Sequence, residues 1–184
     1  MRRSLAAALV AAALAGGALA QQREPFEPEG YRIDDYRAPV PATLDGARVL
    51  TAAEAETIWR EKSGTFIDVL PRPPKPKNLP AGTIWRDSPR FNIPGSIWLP
   101  DTGYGSLAAA TEDYLRKGLE RASRGNKSAL LVIYCLADCW MSWNVAKRAL
   151  SYGYSNVAWY PDGTDGWERA KLPTEESQPE PRPE

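Results

Sequence analysis

An unbroken apolar run at residues 129–134 (ALLVIY), followed at once by Cys135, constrains this chain more than any other feature. Because the run does not alternate between apolar and polar residues, it is typical of a strand buried on both faces of a parallel sheet. Helical and strand patterns alternate on either side of it, which predicts an α/β fold with a parallel sheet. Cys135 is then expected at the carboxyl edge of that sheet, where open α/β folds place their ligands.

The elements around this strand are predicted from caps, spacing and chain breakers. Thr51 and Glu54 form a capping-box pattern, which predicts a helix from there to about Lys62. A strand is expected over 65–70, and the proline-rich residues 71–80 predict a stiff loop. The other predicted elements are a short strand within 96–99, helices over 106–124 and 140–152, a strand over 156–160 and a turn-rich crossover at 161–167. By length they form one domain, at residues 45–173.

Three segments are expected to lie outside this domain. Residues 1–20 begin with Arg2 and Arg3, continue with an apolar run and end in a small-x-small pattern, which predicts a cleaved secretory signal and a periplasmic protein. The run is shorter than the ~20 apolar residues that a membrane anchor needs, so no membrane span is expected after cleavage. Residues 21–44 predict an extended arm laid on the domain. Residues 174–184, rich in Pro and Glu, predict a disordered tail.

The composition excludes several classes of function. The chain of 184 residues has no histidine, which removes Ser-His-Asp catalysis, Cys-His catalysis and His-ligated metal sites. Its 23 Lys and Arg residues balance 23 Asp and Glu residues, so no long-range charge attracts nucleic acid, and a nucleic-acid partner is not expected. Any chemistry must therefore come from cysteine, carboxylates or backbone dipoles.

The two cysteines, Cys135 and Cys139, lie within one short loop. A bridge between them would close a very small ring and add little loop-entropy stabilisation, so the spacing favours a chemical or redox role. Amides of the loop and of the next helix would favour a thiolate at Cys135 without a histidine base. Two alternatives stay open, namely two buried small hydrophobic residues or an inert local disulfide. Cu(I) binding is chemically allowed but lacks further strong ligands, so we expect neither a metal nor a cofactor.

Several motifs together resemble a rhodanese domain. The matching segments are 66–69 (FIDV), 92–100 (NIPGSIWLP), 132–135 (VIYC), 153–157 (GYSNV), 162–167 (DGTDGW) and 172–173. The resemblance covers about residues 49–173, and it implies a rhodanese-like single domain whose central parallel sheet is flanked by helices on both faces. It also implies that Cys135 is a nucleophile that carries sulfur as a persulfide.

The cysteine loop departs from the rhodanese pattern. Asp138 and Trp140 stand where that family has a glycine and often an arginine, and the Asp138 carboxylate opposes both a thiolate and an anionic donor such as thiosulfate. Cys139 is expected to be a resolving thiol. Trp140 is expected at the mouth of a pocket, whereas Trp143 and Trp167 are expected in the core. Asp68 is expected to order the loop by accepting hydrogen bonds from backbone amides.

More narrowly, the loop Cys135-Leu136-Ala137-Asp138-Cys139-Trp140, the export signal and the arm resemble the bacterial CXXCW-motif proteins associated with PQQ-dependent alcohol catabolism. The resemblance implies a periplasmic sulfur carrier or thiol-disulfide protein whose partner is a small sulfur-containing donor or a periplasmic redox protein. The alternative hypothesis, second to this one, is a non-catalytic accessory module that binds a quinoprotein dehydrogenase or its cytochrome partner.

Overall fold

The computed structural model of the protein describes residues 26–84, 86 and 88–182, so the predicted signal at 1–20 lies outside it. The helices and strands are β1 Arg48–Val49, α1 Ala52–Glu61, β2 Thr65–Asp68, β3 Arg90–Asn92, β4 Ile97–Trp98, α2 Ala109–Ser123, β5 Leu131–Tyr134, α3 Trp140–Ser151, β6 Val157–Tyr160, α4 Gly163–Arg169 and β7 Glu175–Ser177. Within these ranges no helix has the length and apolar character that crossing a bilayer requires.

A five-stranded sheet in the order β1-β6-β5-β2-β4 forms the centre of the fold. Every pair of neighbouring strands in it is parallel. The apolar run that dominates the sequence becomes β5, the middle strand, which pairs with β2 on one side and with β6 on the other. The α/β fold class with a central parallel sheet is thereby confirmed.

Side chains of β5 alternate between two separate apolar cores. Leu131 and Ile133 pack in the core that includes α2 and α3, while Val132 and Tyr134 pack in the core that includes α1 and α4. Because all four are buried, the strand shows no polar face in its sequence. Helices therefore cover both faces of the sheet, as expected.

The predicted start of α1 is also confirmed. The Glu54 amide donates to Thr51 Oγ1 over 3.3 Å, and the Thr51 amide donates back to Glu54 Oε2 over 2.8 Å. These two bonds satisfy amides that the first turn of a helix leaves without partners. The hydrogen bonds from Thr51 lower the pKa of Glu54.

Two segments differ from the sequence prediction. The residues predicted to form a turn-rich crossover contain helix α4. The tail, for which the composition predicts disorder, instead forms β7, which pairs antiparallel with β3. Beyond β7, the Glu180 amide donates to the Trp98 carbonyl over 2.9 Å, and Arg182 pairs with Asp101 over 2.9 Å. Unpaired backbone groups on β3 and β4 thus give the polar tail hydrogen-bond partners that its composition does not reveal.

Candidate functional site

Cys135 directly follows β5 and therefore lies at the carboxyl edge of the sheet, in its middle strand. Cys139 is the N-cap residue of α3. The two residues form a disulfide, and their Cα atoms are 6.3 Å apart. Three residues separate them, so the loop has a C-x-x-x-C-W pattern rather than the C-x-x-C-W pattern after which the CXXCW-motif proteins are named.

Both cysteines are buried. Cys135 is 0 % exposed and Cys139 is 2 % exposed, and both belong to the core cluster beneath α3. The sequence predicted a thiolate facing the unpaired amides of the loop and helix, and the structure contradicts that expectation, because the sulfurs are bonded to each other and enclosed. Disulfide-bonded sulfurs carry no charge for such amides to stabilise.

Two amides of this loop already have other acceptors. The Ala137 amide donates to Asp165 Oδ2 over 3.0 Å, and the Trp140 amide, the first of α3, donates to the Tyr36 carbonyl over 3.0 Å. One acceptor comes from α4 and the other from the arm. Both amides therefore already donate to acceptors within the protein.

Helix α4 begins directly against the cysteine loop. Gly163 has φ +51, and a Cβ atom there would collide with the carbonyl of Cys135. Leu136 forms an antiparallel bridge with Gly163, and the Thr164 amide and hydroxyl donate to the Cys135 carbonyl over 3.1 and 3.4 Å. Asp138, by contrast, is exposed and has φ 50, in the left-handed region. The loop is thus held at its start and open to solvent at Asp138.

A buried ion pair supports this loop from below. Asp68 is fully buried at the end of β2, and its Oδ2 atom accepts a hydrogen bond from Arg90 Nε over 2.7 Å. The same guanidinium donates through Nη2 to Thr164 Oγ1 over 3.2 Å. Burial raises the pKa of Asp68, although Arg90 acts in the opposite direction. A chain of contacts therefore runs from Asp68 through Arg90 and Thr164 to the backbone of Cys135.

The contacts of Asp68 agree only in part with the role predicted for it. Its Oδ1 atom accepts one amide hydrogen bond, from Leu70 over 2.9 Å, but its main partner is the Arg90 side chain. Arg90 was missed from the sequence. The signal that could have found it is physical, since a carboxylate at the end of a buried strand requires a compensating cation.

Trp140 does not lie at the mouth of a pocket. It is 2 % exposed, and its Nε1 atom donates to the Pro39 carbonyl of the arm over 3.1 Å. The sequence prediction for this residue is wrong because the arm covers the tryptophan face of α3. Trp143 and Trp167 are both 0 % exposed and lie in the core, as predicted.

A cleft lies at this edge of the sheet, beyond β2. It encloses about 530 Å³, and Leu70, Arg72, Arg90, Phe91, Trp98 and Tyr104 are among its lining residues. Neither cysteine lines it. Across the described ranges, no three Cys, Asp or Glu side chains come close enough to hold a metal ion.

No family model and no curated protein matches this chain. Among solved structures, it is similar to a thiosulfate sulfurtransferase from Pseudomonas aeruginosa, with 18% identity and a TM-score of 0.49 over 72% of this chain and 21% of the other. It is also similar to the polysulfide-sulfur transferase homodimer of Wolinella succinogenes, with 17% identity and a TM-score of 0.44 over 71% and 79%. A 3-mercaptopyruvate sulfotransferase from Escherichia coli has 20% identity and a TM-score of 0.39 over 66% and 42%. This chain thus spans about a fifth of the first of these proteins and less than half of the last.

Proposed function

We propose that the protein is a rhodanese-like sulfur carrier that uses Cys135 as its nucleophile and Cys139 as its resolving thiol. The observation that carries the proposal is the position of Cys135, at the carboxyl end of the middle strand of a parallel sheet and within bonding reach of Cys139. Open α/β folds place reactive groups at this edge. The rhodanese-like motifs of the sequence support the same assignment.

The proposed cycle starts from the reduced pair. The Cys135 thiolate attacks the sulfane sulfur of a donor, the sulfur–sulfur bond of the donor breaks, and its remainder leaves with the electron pair. Cys135 then carries a persulfide. An acceptor thiolate can take the outer sulfur and return Cys135 to a thiolate. Alternatively, the Cys139 thiolate attacks the inner sulfur, hydrosulfide leaves, and the disulfide forms.

The disulfide branch needs a reductant for a second turnover. A dithiol supplies two electrons, because its first thiolate attacks the disulfide and its second resolves the mixed disulfide that results. We propose a periplasmic redox protein of this type as one partner and a small sulfur-containing molecule as the donor. The exposed Asp138 carboxylate argues for an uncharged donor over thiosulfate, since it repels an approaching anion.

Export and cellular role belong to the same proposal. The pattern of residues 1–20 supports secretion to the periplasm through a cleaved signal peptide. The export signal, the arm and the Cys-Trp pair resemble the CXXCW-motif proteins, although the loop is one residue longer than their C-x-x-C-W pattern, and this resemblance supports a place in PQQ-dependent alcohol catabolism.

One observation favours a second candidate function. Because both sulfurs are buried and bonded to each other, the pair also suits a closed local disulfide inside a binding module. Such a module would act as an accessory to a quinoprotein dehydrogenase or its cytochrome partner, without sulfur transfer.

Mass spectrometry of two serine variants tests the sulfur carrier against the binding module. The reduced Cys139→Ser variant is incubated with an organic persulfide, and it should gain one sulfur atom at Cys135. The reduced Cys135→Ser variant should gain none. A Cys139→Ser variant that stays unmodified, or equal modification of both variants, would remove the sulfur-carrier proposal and leave the binding module.

A further inference from the structure

One face of α3 binds the arm. Trp140, Trp143, Asn144 and Lys147 follow the spacing i, i+3, i+4 and i+7, which places them along one stripe of the helix. Each of the four donates a side-chain hydrogen bond to a backbone carbonyl of residues 28–43. We call residues 28–43 the cover segment.

These contacts follow the arm along the helix. Lys147 Nζ reaches the Pro28 carbonyl over 2.7 Å, Trp143 Nε1 reaches the Thr43 carbonyl over 3.2 Å, and Trp140 Nε1 holds the Pro39 carbonyl. Asn144 bonds Arg32 twice, accepting from its amide and donating to its carbonyl, each over 2.9 Å. Because the arm makes these bonds through main-chain groups, α3 fixes the path of the arm backbone and not only the positions of its side chains.

The cover segment also takes the amide next to the cysteine pair. Tyr36 offers its carbonyl to the Trp140 amide over 3.0 Å, at the start of α3. The amides at a helix start favour a negative charge, so the Tyr36 carbonyl occupies one of the donors that could stabilise an anion beside this end of α3. In the described arrangement the amide serves the arm.

Side chains of the cover segment also pack on the core at this end of the fold. Tyr36, Ala38 and Val40 pack against the core cluster that contains Cys135 and Cys139. The segment itself contains no helix or strand, so it depends on its contacts with α3 and the following core for its position. Segments of this kind open locally at a lower free-energy cost than global unfolding.

From these contacts we infer that the cover segment is a lid, and that it must lift from α3 before a sulfur atom of the cysteine pair can react. Lifting exposes the sulfurs and frees the Trp140 amide in the same movement. The inference rests on the proposed function, because a lid has a purpose only if the sulfurs exchange with something outside. The opening of the arm then sets the rate at which the cysteine pair reacts with an outside partner.

Gly105 provides a way to displace the lid without changing α3 or the cysteines. A Cβ atom at Gly105 would collide with the Arg32 carbonyl, so Gly105→Ala pushes against the arm backbone. Gly30→Ala is the matched control, because it makes the same chemical change on the arm itself and its Cβ would meet nothing within 4 Å.

The experiment measures thiol alkylation. Parent, Gly105→Ala and Gly30→Ala proteins are reduced and treated with iodoacetamide, and modification of each cysteine is followed by mass spectrometry. We expect Gly105→Ala to react about tenfold faster than the parent, as for a lid whose opening equilibrium is shifted by that factor. Gly30→Ala should react at the parent rate, and the Trp140 amide should exchange its hydrogen faster only in Gly105→Ala.

Equal alkylation rates in all three proteins would overturn the lid, as would faster exchange of the Trp140 amide without faster alkylation. If Gly105→Ala loses the amide protection of β5, Asn144→Ala replaces it, because it removes both bonds to Arg32, and the same increase is expected. Alkylation requires no sulfur transfer. Faster alkylation in a protein whose Cys139→Ser variant forms no persulfide would therefore refute the proposed function, and it would show only that the cover segment limits access to the cysteines.

Discussion

The guanidinium of Arg90 lies 2.7 Å from the carboxylate of Asp68, which is fully buried beneath the cysteine loop. Removing one partner of a buried ion pair leaves the other charge uncompensated, which typically costs about 3–5 kcal/mol. We expect Arg90→Leu to lower the free energy of unfolding in urea by that amount. The loop should also loosen, because Arg90 holds Thr164.

Arg60→Leu serves as the control for this substitution. Arg60 pairs with Glu56 over 2.7 Å, but its side chain is 62% exposed. Exposed pairs typically contribute ~0.2–1 kcal/mol, so Arg60→Leu should change stability little. Equal losses of unfolding free energy for Arg60→Leu and Arg90→Leu would show that the buried pair contributes no more to stability than an exposed one.

Titration of Asp68 should weaken the fold as the pH rises. Burial raises the pKa of Asp68 above its ordinary value of 3.8, so between the unfolded and folded pKa values the folded state binds more protons. Stability then falls with increasing pH across that window, and the contribution of Asp68 is complete only below it. The parent should therefore lose free energy of unfolding relative to Asp68→Asn as the pH rises from about 4.

Glu54 should produce the opposite slope. The hydrogen bonds from Thr51 lower its pKa below the ordinary 4.5, so its contribution is present above that value and is lost as the pH falls through the folded pKa. Urea unfolding of the parent, Asp68→Asn and Glu54→Gln at several pH values measures both slopes. Slopes of the same sign for the two positions would contradict the assignment.

The disulfide should add little to stability. Its partners are four positions apart, and for so small a ring the chain-entropy model gives about 2 kcal/mol at most. We expect reduction to lower the free energy of unfolding by no more than this, as measured in urea with and without a phosphine reductant. A loss of twice that size would indicate that the bridge is mainly structural and would favour the binding module.

The central part of the fold was predictable because local and long-range signals agree there. The apolar run of β5 needs burial on both faces, and the capping residues Thr51 and Glu54 act within one turn. The position of Cys135 at the strand end follows from the same run. These signals lie in contiguous residues, so one sequence is enough to identify them.

What the sequence did not predict depends on contacts between distant segments. The burial of Trp140 results from a segment about a hundred positions away, and β7 is ordered by strand β3. Arg90 reaches Asp68 and Thr164 across 22 and 74 positions. Hydrophobic periodicity and helix caps carry no information on contacts between distant segments. For the tail, composition alone favoured disorder.

Gly163 should be the least replaceable glycine near the site. Its φ of +51 already disfavours a side chain, and a Cβ atom would also collide with the Cys135 carbonyl. Gly153 separates the two effects, since it has φ +85 but its Cβ would meet nothing within 4 Å. Gly153→Ala should cost about 1–2 kcal/mol of unfolding free energy from backbone strain alone.

For Gly163→Ala, the collision adds to the strain. Forcing an extra methyl group into a packed site typically costs ~1–3 kcal/mol, so the total loss should exceed that of Gly153→Ala by that margin. The amide of Thr164, which donates to the Cys135 carbonyl, should also lose protection from hydrogen exchange in Gly163→Ala alone. Similar losses in both variants, with that amide still protected, would mean that the close approach of Gly163 does not hold the cysteine loop and that the hydrogen bonds of Thr164, which Arg90 contacts, hold it instead.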